Sequence, residues 1–310
     1  MTRHVQFRLV DAFADGVFRG NPAGVVLDAD GLSDEQMQAI AGEVHASETA
    51  FIEGGNDLHR PLHLRWFTPT VEVGFCGHAT LAAAHAWSEI AGLRSILARS
   101  DAALTFETAA GLLTLRPEPL PKPAEVPLWW LDMPDPQLKR DNTNPIKLRE
   151  LLGLAGDDLE PAAPIMRTRD DDLIVLIRSW RTLMELRPDL RELARLSERF
   201  RIRGVCVATL DTLNDFTNVA SRFFAPACGV DEDPVTGSIH GPLAVMLVVT
   251  ELIPLASGSA ALHCVQGIPG GRTGMVRALV KQTPQGYRVS IAGCCHTTIR
   301  GEIRVPQHDG

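Results

Sequence analysis

The chain has 310 residues, of which 45% are hydrophobic and 22% charged, with a formal net charge of -8. That composition fits a globular chain of one large or two ordinary domains and excludes disordered and fibrous classes. The acidic balance leaves no basic stripe to neutralise phosphates, which excludes a sequence-independent nucleic-acid binder.

Residues 1–8 carry no apolar core of the kind a signal peptide needs. Residues 5–12 alternate weakly and predict a strand. Phe18-Arg19-Gly20-Asn21-Pro22-Ala23-Gly24 predicts a turn before a short strand at Val25-Val26-Leu27. Ser33 stands three residues before Gln36 in a capping-box arrangement, and Met37, Ile40, Ala41 and Val44 share one face of the helix that follows, which ends near His45. Ser47-Glu48-Thr49-Ala50-Phe51-Ile52 resumes as a strand, and Arg65-Trp66-Phe67-Thr68-Pro69 is another. After Glu72 come Phe75-Cys76-Gly77-His78 and residues 79–87, apolar nearly all round and therefore a buried helix.

Strands follow around residues 104–106 and 112–115, with Gly111 between them. Residues 117–127 hold five prolines in eleven positions and predict a linker. Beyond it, helices are expected near residues 148–152 and 183–200, and strands near 173–177 and 205–210. Asp231-Glu232-Asp233-Pro234-Val235-Thr236-Gly237-Ser238-Ile239-His240-Gly241-Pro242 is a polar loop feeding the apolar run 243–249, itself too short to span a bilayer. A β-rich tail closes the chain at residues 275–280, 287–291 and 297–305. The six cysteines form no C-x-x-C pair and no disulfide framework, so a reduced cytoplasmic protein is expected.

The second half repeats the first. Arg65-Trp66-Phe67-Thr68-Pro69 matches Arg222-Phe223-Phe224-Ala225-Pro226, 157 positions later. Each is followed by acid (Glu72; Glu232 and Asp233), then Gly and a polar residue (Gly77-His78; Gly237-Ser238), then an apolar helix. Two copies imply a duplicated domain with pseudo-twofold symmetry, not a solenoid. If the two domains face one another, the helix N-termini converge on the cleft, each offering free N–H groups worth roughly 0.3–1 kcal/mol per anion contact. That is a site for a small carboxylate.

Asn21-Pro22-Ala23-Gly24-Val25-Val26, Ser47-Glu48-Thr49-Ala50-Phe51, Cys76-Gly77-His78-Ala79-Thr80 and Glu232-Asp233-Pro234-Val235-Thr236-Gly237-Ser238, together with the two pentapeptides, resemble the PhzF-like phenazine-biosynthesis family in content and order. The resemblance implies an α+β fold of the diaminopimelate epimerase group: two pseudo-symmetric domains, 1–120 and 121–310, each a curved mixed sheet or half-barrel around a central buried helix. The last strand or tail is expected to pack back on the first domain. The resemblance further implies a homodimer, no cofactor and no metal, and an isomerase that moves a proton within a small carboxylate substrate. Glu48 would be the catalytic acid/base; His78, Asp233 and Ser238, with Gly77 and Gly237 at the helix starts, would hold the substrate. No nucleic acid or membrane partner is expected.

The residue chemistry agrees. Moving a proton alpha to a carboxylate needs one group able to take and return it, and a carboxylate in a desolvated cleft suits that task. Glu72, Glu232 and His240 are second-tier candidates with structural roles expected. Two rivals remain: a same-fold protein that binds a small carboxylate or a partner without turnover, and a racemase using Cys76. The second needs a matching thiol that residues 232–238 lack. The Gly-rich residues 267–274 lack the Lys-Ser/Thr of a phosphate loop and predict a turn. His263-Cys264 and Cys294-Cys295-His296 have no usual zinc spacing.

Overall fold

A computed structural model describes residues 3–54, 61–90, 103–118, 127–268 and 270–306. The chain divides into two compact units, Met1–Asp132 with Ala292–Gly310, and Met133–Ile291. Most of the proline-rich stretch expected as a linker, residues 119–126, lies outside the described residues.

In the first unit, β1 (His4–Ala12) pairs antiparallel with β2 (Asn21–Val26) and with the end of the last strand, β17 (Gly286–Arg304). The expected turn through Gly24 is therefore shorter, because Pro22 and Gly24 already lie in β2. Pro22 lies just before Ala23, where the pairing of β2 with β3 begins, so its missing N–H removes no bond from that ladder. Helix Asp34–Val44 carries the chain from β2 to a parallel partner, β3 (Glu48–Glu53). Its capping box is present: Ser33 accepts from the Gln36 N–H, and the Gln36 side chain accepts from the Ser33 N–H. His45 ends it in the left-handed conformation. β4 (Leu62–Phe67) runs antiparallel to β3 and to the short β5 (Glu72–Val73). The helix Gly77–Ser88 then crosses to β6 (Leu104–Thr108), parallel to β4, and β7 (Gly111–Pro117) and β8 (Leu128–Asp132) add antiparallel neighbours. All twelve residues of Gly77–Ser88 are buried, against β1, β2, β3 and β8. A helix apolar all round has to be covered on every side, and these strands provide that cover.

The second unit repeats this order. After β9 (Leu138–Arg140) and β10 (Met166–Thr168), β11 (Leu173–Leu176) is parallel to β12 (Val205–Thr209), which is antiparallel to β13 (Val219–Ala225). β13 pairs antiparallel with β14 (Val230–Asp233). The second central helix, Gly237–Val249, then crosses to β15 (Ser259–Gly267), parallel to β13 and antiparallel to β16 (Thr273–Thr283). Pro242, expected in the loop, lies inside this helix.

Three expectations are corrected. The helix predicted over 183–200 is two, Trp180–Glu185 and Leu190–Phe200, because Pro188 and the extended backbone before it interrupt the pattern. The tail strands 287–291 and 297–305 are one strand, β17. β15 was not foreseen at all: its inward face includes Gln266, so hydrophobic alternation is broken. Among the described residues no helix is long and apolar enough to cross a membrane.

Candidate active site

The first central helix begins at a buried polar corner. Cys76 is its N-cap residue, in extended conformation, and makes no side-chain cap hydrogen bond. Gly77 and His78 are the first two helical residues. Glu48 opens β3, where parallel pairing sets it opposite Ala23, and Ser47 precedes it. Register and helix start bring the four side chains together. His78 Nε2 lies 3.3 Å from Glu48 Oε2 and 3.2 Å from Ser47 Oγ, and His78 Nδ1 lies 3.4 Å from Cys76 Sγ.

His78 and Cys76 are buried, and the Glu48 side chain is 21% exposed. The Glu48 Oε2 atom itself is buried and accepts no hydrogen bond. Its 3.3 Å approach to His78 Nε2 is close enough for attraction but lies off the N–H direction. A buried carboxylate oxygen without a directed donor is costly in a packed protein and marks a place where a ligand or a proton belongs.

The donor atoms of Glu48, Cys76 and His78 lie within 4.8 Å of one another, a set whose types suit a transition metal. The contacts have a different sense: the imidazole turns Nδ1 to the thiol and Nε2 to the carboxylate. A metal takes one imidazole nitrogen, whereas a relay uses both.

The second unit builds a matching corner from different residues. Thr236 is the N-cap residue of its central helix, and Gly237 and Ser238 are the first two helical residues. Asp233 ends β14 and accepts from Thr236 Oγ1 at 2.5 Å. Gln266, fully buried on β15, ties this loop down: its Nε2 donates to Asp233 O at 2.8 Å and Thr236 Oγ1 at 3.1 Å, and its Oε1 accepts from Thr236 N at 3.0 Å. Ser238 Oγ accepts from Arg203 Nη2 at 3.2 Å, and Arg203 Nε donates to the buried Asp172 at 2.8 Å. Burial pushes the Asp172 carboxyl up, opposed by the Arg203 guanidinium.

A family model described as phenazine biosynthesis-like protein matches residues 10–301. The chain belongs to that family. It is 40% identical to an uncharacterized isomerase of Pseudomonas aeruginosa, over 97% of this chain and 99% of that one. A crystal structure of the Bacillus anthracis phenazine biosynthesis protein of the PhzF family matches with a TM-score of 0.85 at 27% identity, covering 97% of this chain and 99% of that one. A hydroxyproline epimerase from Agrobacterium vitis shares the fold at a TM-score of 0.60 and 11% identity, over 98% of this chain and 94% of that one. The chain is thus a PhzF-like member of an isomerase family.

Within this PhzF-like chain, Glu48, Gly77 and His78 are together in the first unit, and Asp233, Gly237 and Ser238 lie around one helix start in the second. Glu72 and Glu232 are each engaged by two nitrogens of an arginine, Arg65 and Arg222 respectively. His240 is buried, with Nδ1 2.9 Å from Thr236 O, and burial lowers its pKa to about 4. These contacts tie each of the three into the scaffold. His263 Nδ1 lies 3.1 Å from Phe216 O, and burial pushes the Cys264 thiol up to about 12. A hollow of about 200 Å³ lined by His63, Arg65, Trp66 and Glu72 includes none of the corner residues. Sequence reasoning missed Arg203 and Gln266 and gave Ser47 no role. The one available signal for Arg203 is positional: it precedes β12 as Ser47 precedes β3.

Proposed function

We propose that this protein is an isomerase that moves a proton on a small carboxylate substrate of amino- or hydroxy-acid type, with Glu48 as its general acid/base and no cofactor. The observation that carries the reading is the buried, hydrogen-bond-free Oε2 of Glu48 beside His78. A carboxylate oxygen so placed can take a proton from one carbon and return it to another while the neighbouring imidazole helps to hold it in place. Gly77 and Gly237, without side chains at the first helical position, leave the helix N–H groups open to a carboxylate. His78, Asp233 and Ser238 hold the substrate.

One base implies that the proton leaves and returns on the same face. A two-thiol racemase needs thiols at both helix caps, and the second cap is Thr236. Cys228 is exposed in the short turn Pro226–Cys228, with Sγ 3.6 Å from Arg203 O. The support is therefore for a single carboxylate base.

The test is solvent deuterium incorporation into a panel of small amino and hydroxy acids, followed by NMR. Wild type is expected to label one carbon position of its substrate, and Glu48→Gln to slow labelling by about 10²–10⁴-fold with the fold intact by circular dichroism. Labelling that survives the substitution overturns the Glu48 reading. A tightly bound acid that wild type never labels supports a binding protein instead.

A further inference from the structure

The contacts around His78 have a direction that the proposed proton shuttle does not use. Ser47 Oγ lies 3.4 Å from the Pro22 carbonyl and 3.4 Å from Asn21 Oδ1, both acceptors. A serine hydroxyl has a single proton, and two oxygens that can only accept compete for it, which favours the Ser47 oxygen accepting from His78 Nε2. Glu48 Oε2, 3.3 Å from the same nitrogen, also favours a hydrogen there over a lone pair. Nε2 therefore carries the proton, and in a neutral ring Nδ1 presents its lone pair to Cys76 Sγ at 3.4 Å. The thiol is the donor that matches it. An imidazolium–thiolate pair would put two charges at positions each only 6% exposed, at a desolvation cost that the neutral pair avoids.

We propose that Cys76 is a positioning residue whose S–H fixes the tautomer of His78, keeping the hydrogen on Nε2, the nitrogen that faces Ser47 and Glu48. The chain of donors runs from Cys76 S–H to His78 Nδ1, and from Nε2–H to Ser47 Oγ. Because Ser47 takes the directed hydrogen bond, Glu48 Oε2 is left with the attraction of the N–H but without its full hydrogen bond. Its lone pair stays open to a substrate proton. Cys76 is then neither a nucleophile nor one of a pair of thiol bases. The purpose of the lock rests on the Glu48 reading; the tautomer itself does not, and it is measured without any substrate.

The experiment is ¹H–¹⁵N long-range correlation on full-length protein labelled with ¹⁵N-histidine near pH 7.5, with the His78 signals identified by their loss in His78→Gln. Wild type is expected to show a protonated Nε2 and an unprotonated Nδ1. Cys76→Ala is expected to move the tautomer ratio toward Nδ1–H by about fivefold or more, the weight of one modest hydrogen bond, and Cys76→Ser to restore it. Cys76→Val, near the native volume and without a donor, replaces the alanine variant if that one fails to fold. A wild-type ring protonated at Nδ1, or at both nitrogens, overturns the proposal. So does a ratio unchanged in the folded variant that lacks a donor. Loss of deuterium labelling in Glu48→Gln tests the shuttle separately, so either idea can fail alone.

Discussion

The two helix-start corners share a scaffold and differ in the residues they put on it. Thr49 pairs with Phe67 and Val205 with Phe224, so the residue before each, Glu48 in one unit and Gly204 in the other, holds the same place. By the same register Ser47 corresponds to Arg203, and the helix starts equate Cys76 with Thr236 and His78 with Ser238. The first corner gathers an acid, an imidazole and a thiol. The second gathers an Arg203–Asp172 ion pair, hydroxyls and Gln266. The two helix ends share one scaffold, and their side chains give them different chemistry: a carboxylate, an imidazole and a thiol at the first, a guanidinium, hydroxyls and an amide at the second.

The ion pairs behind the corners diverge too, and they offer the largest way to break the symmetry. Arg65 grips Glu72 through two nitrogens and also reaches Asp34, with its side chain 21% exposed. Arg222 grips Glu232 in the same way but is 5% exposed and otherwise bonded to the carbonyls of Leu183 and Leu186. Removing Glu232 strands a buried guanidinium, so Glu232→Gln should cost about 3 kcal/mol, the low end for a broken buried pair because two carbonyls still accept. Glu72→Gln should cost no more than about 1 kcal/mol, since Arg65 keeps Asp34 and water. Urea unfolding of both variants checks the difference. Equal losses would show that the two copies carry their ion pairs alike.

Gly204 sharpens the comparison. A Cβ built there would meet Phe223 Cζ at 2.2 Å, so a side chain where the first unit has Glu48 would require the buried Phe223 ring to move. Gly204→Ala should therefore lower stability by about 2–3 kcal/mol through overpacking, measured by urea unfolding, whereas Glu48→Ala should leave stability nearly unchanged. If Gly204→Ala is harmless, Phe223 can swing aside and the second corner is more permissive than its geometry implies.

Much of this was legible in the chain, and the parts that were not have a common cause. The capping box at Ser33, the two helices apolar on every face and the repeated Arg-aromatic-Phe strands are local patterns, and the elements formed where those patterns stand. The contacts of Ser47, Arg203 and Gln266 depend on which strands pair and in what register, information spread over the whole chain. Gln266 shows this best: a buried amide in a strand looks like a break in alternation until Asp233 and Thr236 are seen around it. The split at Pro188 is the opposite case, a local signal overridden in reading by the apolar spacing on either side.

The smallest difference lies four residues past each helix cap, where Thr80 and His240 both face the cap carbonyl. Thr80 Oγ1 donates to Cys76 O at 2.5 Å, and His240 Nδ1 lies 2.9 Å from Thr236 O, with its Nε2 3.5 Å from Ser221 Oγ. Burial lowers the His240 pKa to about 4, so the folded protein holds this ring neutral while the unfolded chain, with a pKa of about 6.5, protonates it as pH falls. The unfolded state then binds more protons, and stability rises with pH across this window. His240 contributes fully above about pH 6.5, and the contribution drains away toward pH 4. At pH 5 the loss amounts to about 2 kcal/mol relative to pH 7.5. His240→Gln should remove that increment of pH dependence, while Thr80→Ser, carrying no titratable group, should leave it intact. Urea midpoints at pH 7.5 and 5 for the three proteins decide it. An equal pH loss in His240→Gln would mean that another buried group titrates there, and that the pH sensitivity is not a property of the second helix start.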